Sequence, residues 1–146
     1  DNATPTVTGA HISLSGASGT GGAFKVGDTV TATWNNTVGG TTNSGSSSVS
    51  VDFSQFGGGA AVVASNSAST WTATYTITAG AIDGTNINVS VTATDNAGNI
   101  TTTADTSNAT VDNASPTVTD ANISLSGASG TGGAFKVGDT VTATWN

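Results

Sequence analysis

The chain has no cysteine, no glutamate and no arginine, and apart from His11 its only basic residues are Lys25 and Lys136. Without cysteine, neither a disulfide framework nor a thiolate metal site can form. All nine acidic residues are aspartates, at positions 1, 28, 52, 83, 95, 105, 112, 120 and 139, and the formal net charge is −7. Two isolated lysines cannot neutralise a line of phosphates, so nucleic acid is not expected as a partner. The same charge favours divalent cations. No apolar run approaches the length of a membrane span and no signal-peptide pattern occurs, so membrane insertion is not expected. If the protein is secreted, its export address is expected outside these residues.

What is present is organised by a repeat. Residues 1–35 recur at 112–146, an offset of 111, and three of the 35 pairs differ: Thr4/Ser115, Gly9/Asp120 and His11/Asn122. Ile12 to Asn35 reappears unchanged as Ile123 to Asn146. Solenoid units are shorter, roughly 20–50 residues, whereas a β-sandwich domain of about 100 residues with its linker fits. The chain therefore reads as one complete unit, 1–111, followed by the first two strands of the next, 112–146.

Hydrophobic residues are 35% of the chain, and they alternate with Thr, Ser and Asn instead of scattering. Such alternation marks strands of antiparallel sheets with one face buried. Seven strands are expected: A, Thr6 to Ser15; B, Phe24 to Asn35; C, Ser48 to Phe56; D, Ala60 to Ala64; E, Thr70 to Thr78; F, Asn86 to Thr94; G, Ile100 to Val111. Gly-rich breaks at Gly16 to Gly22, Gly39 to Gly45, Gly57 to Gly59 and Asp83-Gly84 separate them. In strand A, Val7 and the pair Ile12 and Leu14 have opposite parity, so a bulge or sheet switch is expected near Gly9 to His11. Parity places Phe24 and Val26 inward and Lys25 outward, and Trp34, Trp71 and Tyr75 in the core. The expected fold is an all-β, seven-stranded, immunoglobulin-like antiparallel sandwich in tandem repeat.

Catalysis is not expected. His11 aligns with Asn122, so nothing common to both copies can depend on it. General acid–base chemistry would then fall to aspartates that are nowhere adjacent in sequence. An amide crosslink from Lys25 to an Asn or Asp side chain would need a buried lysine, which strand parity denies. Calcium ligation by Asp and Asn oxygens is the better candidate. Asp95, Asn96 and Asn99 join strands F and G. Asp112 and Asn113 lie at the junction before Pro116, matched by Asp1 and Asn2 before Pro5. Asp83 and Asp120 could add to a site between consecutive units. Asp28 is a weaker candidate by itself. The competing reading is that these residues only make turns.

The order AFKVGDTVTATW, YTITAGAIDGTNINVSVTATDNAGN and VDNASPTVT resembles the bacterial Ig-like repeats of giant secreted adhesins and biofilm proteins. The resemblance implies an extracellular location, at a prokaryotic cell surface or in its matrix. It also implies an extender role with neighbouring repeats as partners. Calcium would be held between domains, here by Asp95, Asp112 and Asp1. A carbohydrate-binding module is the alternative function.

The incomplete copy carries its own expectation. A two-stranded hairpin is marginal in water, and this one would expose Phe135, Val137, Val141 and Trp145. Residues 112–146 are therefore expected to seat on another molecule by strand addition or exchange, giving a homo-oligomer or fibre.

Overall fold

The computed structural model describes residues 2–146, without the side chains of Thr41 and Thr42. It divides into two compact units, Asp1–Ser115 and Pro116–Asn146.

The first unit is all β. Its strands are β1 (Ile12–Ser15), β2 (Phe24–Lys25), β3 (Thr29–Asn35), β4 (Ser46–Asp52), β5 (Val62–Val63) and β6 (Ser65–Ser67). They continue with β7 (Thr70–Thr76), β8 (Asp83–Ile87), β9 (Ser90–Asp95), β10 (Ile100–Ala104) and β11 (Ala109–Asp112). One sheet has the order β1-β3-β7-β6 and a second the order β10-β9-β4-β5, with every neighbouring pair antiparallel. A small third sheet, β2-β11-β8, contains the one parallel pair among the described strands, β2 with β11.

Alternation explains the layering. Val30, Ala32 and Trp34 of β3 and Trp71 and Ala73 of β7 are buried from one sheet; Val49, Val51, Val91 and Ala93 are buried from the other. All nine join a single apolar cluster, closed at one end by Phe24, Phe53 and Phe56 stacked edge to face. The opposite face of the first sheet is a ladder of hydroxyls, in which Thr33 meets Thr72, Thr31 meets Thr74 and Thr29 meets Thr76 across strands. Threonine suits such positions because its branched Cβ packs on the pleat while its hydroxyl meets water.

The change of parity in the first strand has a physical cause. A 3-10 turn, Gly9–His11, separates the buried Val7, whose carbonyl accepts from Thr103 Oγ1, from Ile12, which pairs with Trp34 in the first sheet. Gly9 is required at the crossing, since a Cβ there would lie 2.6 Å from the carbonyl oxygen of Ala104.

Three other expected strands are interrupted and a fourth is shortened. Strand B divides into β2 and β3 because Gly27, at φ +91°, turns the chain between sheets. Val26, expected inward, is consequently 47% exposed. Strand D shrinks to β5, which joins β4, and beyond Ala64 a further strand, β6, joins β7. Strand F divides after Ile87 into β8 and β9, and Asn86, at φ +60°, lies in β8 where its register against β11 shifts. Asp83-Gly84 is thus the start of a strand and not a turn. Strand G divides into β10 and β11, so the seven expected strands are eleven segments.

The second unit repeats the opening of the first. β12 (Ile123–Ser126) pairs with β13 (Thr142–Trp145), with Ile123 opposite Trp145 as Ile12 is opposite Trp34. Ile123, Leu125, Val141 and Trp145 are exposed at 46, 63, 57 and 54%.

Candidate functional site

The oxygen-bearing residues singled out by the sequence gather at the two ends of the first unit. β3 and β7 run antiparallel, with Asn35 opposite Thr70 at one end and Thr29 opposite Thr76 at the other. Seven strand residues set these ends about 20 Å apart.

At the first end the incoming chain is clamped by Asn43, which is 2% exposed. Its Oδ1 accepts the Thr6 amide at 2.8 Å, and its Nδ2 donates to the carbonyls of Thr6 at 3.0 Å and Asn36 at 2.9 Å. The loop between β9 and β10 lies at this end, because Asp95 is in register with Ser46 and the Asn96 amide donates to Gly45 O. Asp95 is buried, and its carboxylate organises the turn. Oδ1 accepts from the amides of Ala97 and Asn99, both at 2.8 Å, and Oδ2 accepts from Asn99 Nδ2 at 2.8 Å. These bonds, led by the Asn99 side chain, hold the Asp95 carboxyl below the usual carboxylate range. Asn96 is exposed, and so is Asn2 near the chain start. Asp1 lies outside the described residues.

At the second end the outgoing chain is clamped by Asn113, which is 4% exposed. Its Oδ1 accepts the Ile82 amide at 2.7 Å and its Nδ2 donates to Thr78 O at 3.0 Å. Asn113 N donates to Ile82 O, and Gly80 N donates back to Asn113 O. Just before it, Asp112 is flanked in register by Lys25 of β2 and Asp83 of β8. The three charges form one row across the third sheet, with Asp83, Asp112 and Lys25 all exposed. Lys25 Nζ donates to Ser18 Oγ at 2.7 Å, so this lysine is at the surface and lacks the burial an amide crosslink needs.

Next to the row, Asp28 accepts from Ser18 Oγ at 2.6 Å, Ser18 N at 2.9 Å and Lys25 N at 3.0 Å. The Ser18 hydroxyl, then the two amides, outweigh burial and lower its pKa. Asp139 holds Ser129 and Lys136 by the same bonds in the second unit, and its pKa is lowered for the same reason. Asp120 is exposed in the 3-10 turn Asp120–Asn122.

The structure therefore brings Asp83 and Asp112 side by side, and Asp95 with Asn99. It keeps these two pairs at opposite ends of the unit. Among the described residues no three acidic, imidazole or thiolate side chains come together. Calcium takes 6–8 oxygen ligands, so the Asp83–Asp112 pair fits as part of a site and not as the whole of one. The clamp at Asn43 was not legible in the sequence, where an asparagine in a glycine-rich stretch reads as turn chemistry, and Asn113, chosen there as a calcium candidate, is buried with its side chain bonded to Ile82 N and Thr78 O. Asp105 was missed too. It is 4% exposed, with Oδ1 accepting from the Ser107 amide and Oδ2 without a hydrogen-bond partner. No family model, curated protein or solved structure matches this chain.

Proposed function

We propose that the repeat is a structural extender, an immunoglobulin-like sandwich strung head to tail in a secreted prokaryotic surface or matrix protein, adhesive in its setting and without catalytic work. One observation carries this reading. The chain enters the unit at the Asn43 end and leaves at the Asn113 end, the arrangement that a head-to-tail array needs. The side-chain clamps at both ends fix the direction in which the chain arrives and departs, as a load-transmitting module requires. The order of the two large sheets supports the immunoglobulin-like description, with β1, β3, β6 and β7 in one sheet and β4, β5, β9 and β10 in the other. The Thr- and Ser-rich surface and the resemblance to adhesin repeats agree with it. A carbohydrate-binding module is the weaker reading, because Trp34 and Trp71 are 1% and 8% exposed and cannot stack on a sugar.

Calcium would rigidify the junction. Asp83 and Asp112 would supply the carboxylates from one unit, and Asp120 would add its own from the next. Lys25 beside Asp112 offsets part of the negative charge, so affinity is expected to be modest. A chain in which the second repeat is completed with residues 36–111 tests both ideas. Small-angle scattering should give a maximum dimension near twice that of one unit, and calcium should raise the melting temperature until Asp83→Asn and Asp112→Asn remove the response. A compact particle rejects the extender; identical melting with calcium and with chelator rejects the metal.

A further inference from the structure

A cleft of about 380 Å³ opens in the first unit where the backbones of β2 and β11 part. The two strands pair only at Phe24 with Val111 and at Lys25 with Asp112. Ahead of that short ladder, one side is the loop of residues 16–23 and the other is the stretch 107–110, and the cleft lies between them. Its volume falls in the range of small-molecule sites, roughly 300–1,000 Å³. Leu14 and the buried Phe24 supply the apolar part of its lining.

Both walls are held by their own hydrogen bonds. On the loop side, Gly19 N donates to Ala23 O at 2.8 Å and Gly22 N to Gly19 O at 3.1 Å, while Asp28 holds the amides of Ser18 and Lys25. The second unit makes the same bonds from Gly130 to Ala134 and from Gly133 to Gly130, so this shape belongs to the loop itself. On the far side, Ser107 N donates to Asp105 Oδ1 at 3.0 Å, and Asn108 Oδ1 accepts from Asn88 Nδ2 at 3.2 Å. Walls fixed in this way need little ordering when a ligand binds.

The lining selects the ligand chemistry. None of the described residues that line the cleft is charged. A carboxylate or phosphate would meet no cation there, and an ammonium group would meet no carboxylate. The walls carry the hydroxyls of Ser15, Ser107 and Thr110, the Asn108 amide, and backbone N–H and C=O groups. Gly21 and Gly22 leave that backbone bare. They sit at φ +68° and +80°, where glycine is favoured, and a Cβ at either would meet nothing within 4 Å. β1 is the end strand of its sheet, so one edge of its backbone is not used by the ladder with β3. Neutral donors and acceptors beside a small apolar surface complement a polyhydroxy ring, whose hydroxyls both give and take hydrogen bonds and whose C–H face is apolar.

We infer that this cleft takes a single neutral hexose unit of a glycan. The inference goes beyond the extender reading and does not rest on it. It calls for polar contacts beside Leu14 and Phe24, and not for the aromatic platform that the buried Trp34 and Trp71 cannot provide. A ligand of about twelve non-hydrogen atoms at ordinary binding efficiency has a Kd on the order of 1–10 mM.

Amide chemical shifts of the full chain, followed as glucose, galactose or N-acetylglucosamine is added, test it. At least one of the three should move the amides of Ala17, Gly21, Gly22 and Asn108 along saturable curves, with half-saturation below about 50 mM. Ala17→Leu, at an exposed position of the loop wall, fills the cleft and should abolish these shifts. Ala128→Leu, the same change in the second unit, should leave them unchanged. Asn108→Ala removes an amide from the far wall and should weaken binding about threefold or more. The amide spectrum of the rest of the first unit reports that each variant is folded. No saturable shift with any of the three sugars, shifts centred on the threonine face of the first sheet, or binding that survives Ala17→Leu would each overturn the inference. Displacement of the sugar by trialanine at a lower concentration than the sugar itself would overturn it too, in favour of an extended peptide.

Discussion

Asn43 and Thr6 form a closed two-way amide pair, in which each gives and receives one hydrogen bond across 37 residues of chain. The pair ties the entering segment to the loop before β4, with the Asn43 side chain buried and Thr6 exposed. Asn43→Ala removes these part-buried bonds and the buried one to Asn36 O. The expected cost is roughly 2–3 kcal/mol in urea unfolding. Asn96→Ala, at an exposed position, should stay within about 0.5 kcal/mol of wild type. Equal costs would show that Asn43 is not a clamp.

Gly9 and Asp120 occupy equivalent positions in very different surroundings. Gly9→Asp puts a side chain against the Ala104 carbonyl and should destabilise the first unit by about 2 kcal/mol or more. Asp120→Gly, in an exposed turn, should change the main unfolding transition by less than about 0.5 kcal/mol. Paired thermal melts of the two variants measure the asymmetry.

Acid should act through Asp28 and Asp95. Both have folded-state pKa values below the unfolded value, so their contribution is complete above about pH 4–5, where the unfolded carboxylates are also ionised. It is lost as pH falls through the unfolded value near 4 toward the lower folded one. The unfolding midpoint should thus be level from neutral pH to about 5 and decline below about 4. In Asp28→Asn and Asp95→Asn that decline should be shallower, a comparison that denaturant titrations at several pH values can make.

Trp34 and Trp145 are the same residue in the same sequence, at 1% and 54% exposure. Trp34→Ala should cost about 3–5 kcal/mol by opening the core. Trp145→Ala should leave the cooperative transition of the first unit in place. Iodide quenching of the fluorescence removed by each substitution provides the check: the Trp145 component should be the accessible one in dilute solution.

Much of this architecture was legible before any coordinates. The alternation of Val30, Ala32 and Trp34 and of Trp71 and Ala73 identified the core face, and the parity change between Val7 and Ile12 located the switch at Gly9. Strand continuity was not legible, because parity extrapolates straight through a residue that turns the chain. Gly27 and Asn86 each reorient the backbone inside a run that still looks extended, and Val26 goes to solvent as a result. The ends were read in part. Asp83 and Asp112 were both chosen from composition, and the third sheet sets them in register. The bonding of Asn43 to Thr6 and of Asn113 to Ile82 spans 37 and 31 residues. Contacts at that distance leave no local pattern.

The Ser18–Asp28 loop and its copy at Ser129–Asp139 take the same hydrogen bonds although one borders a packed core and the other does not. Its geometry is thus set within 11 residues, a loop that closes in about 10–100 ns. The opening hairpin of the first unit is expected to close before residues 36–111, which pack against it, have been made. A chain that carries the same 35-residue opening twice, with three differences, gives a strand two near-identical partners to choose from. Early local closure fixes the pairing of each opening segment with itself before that choice arises.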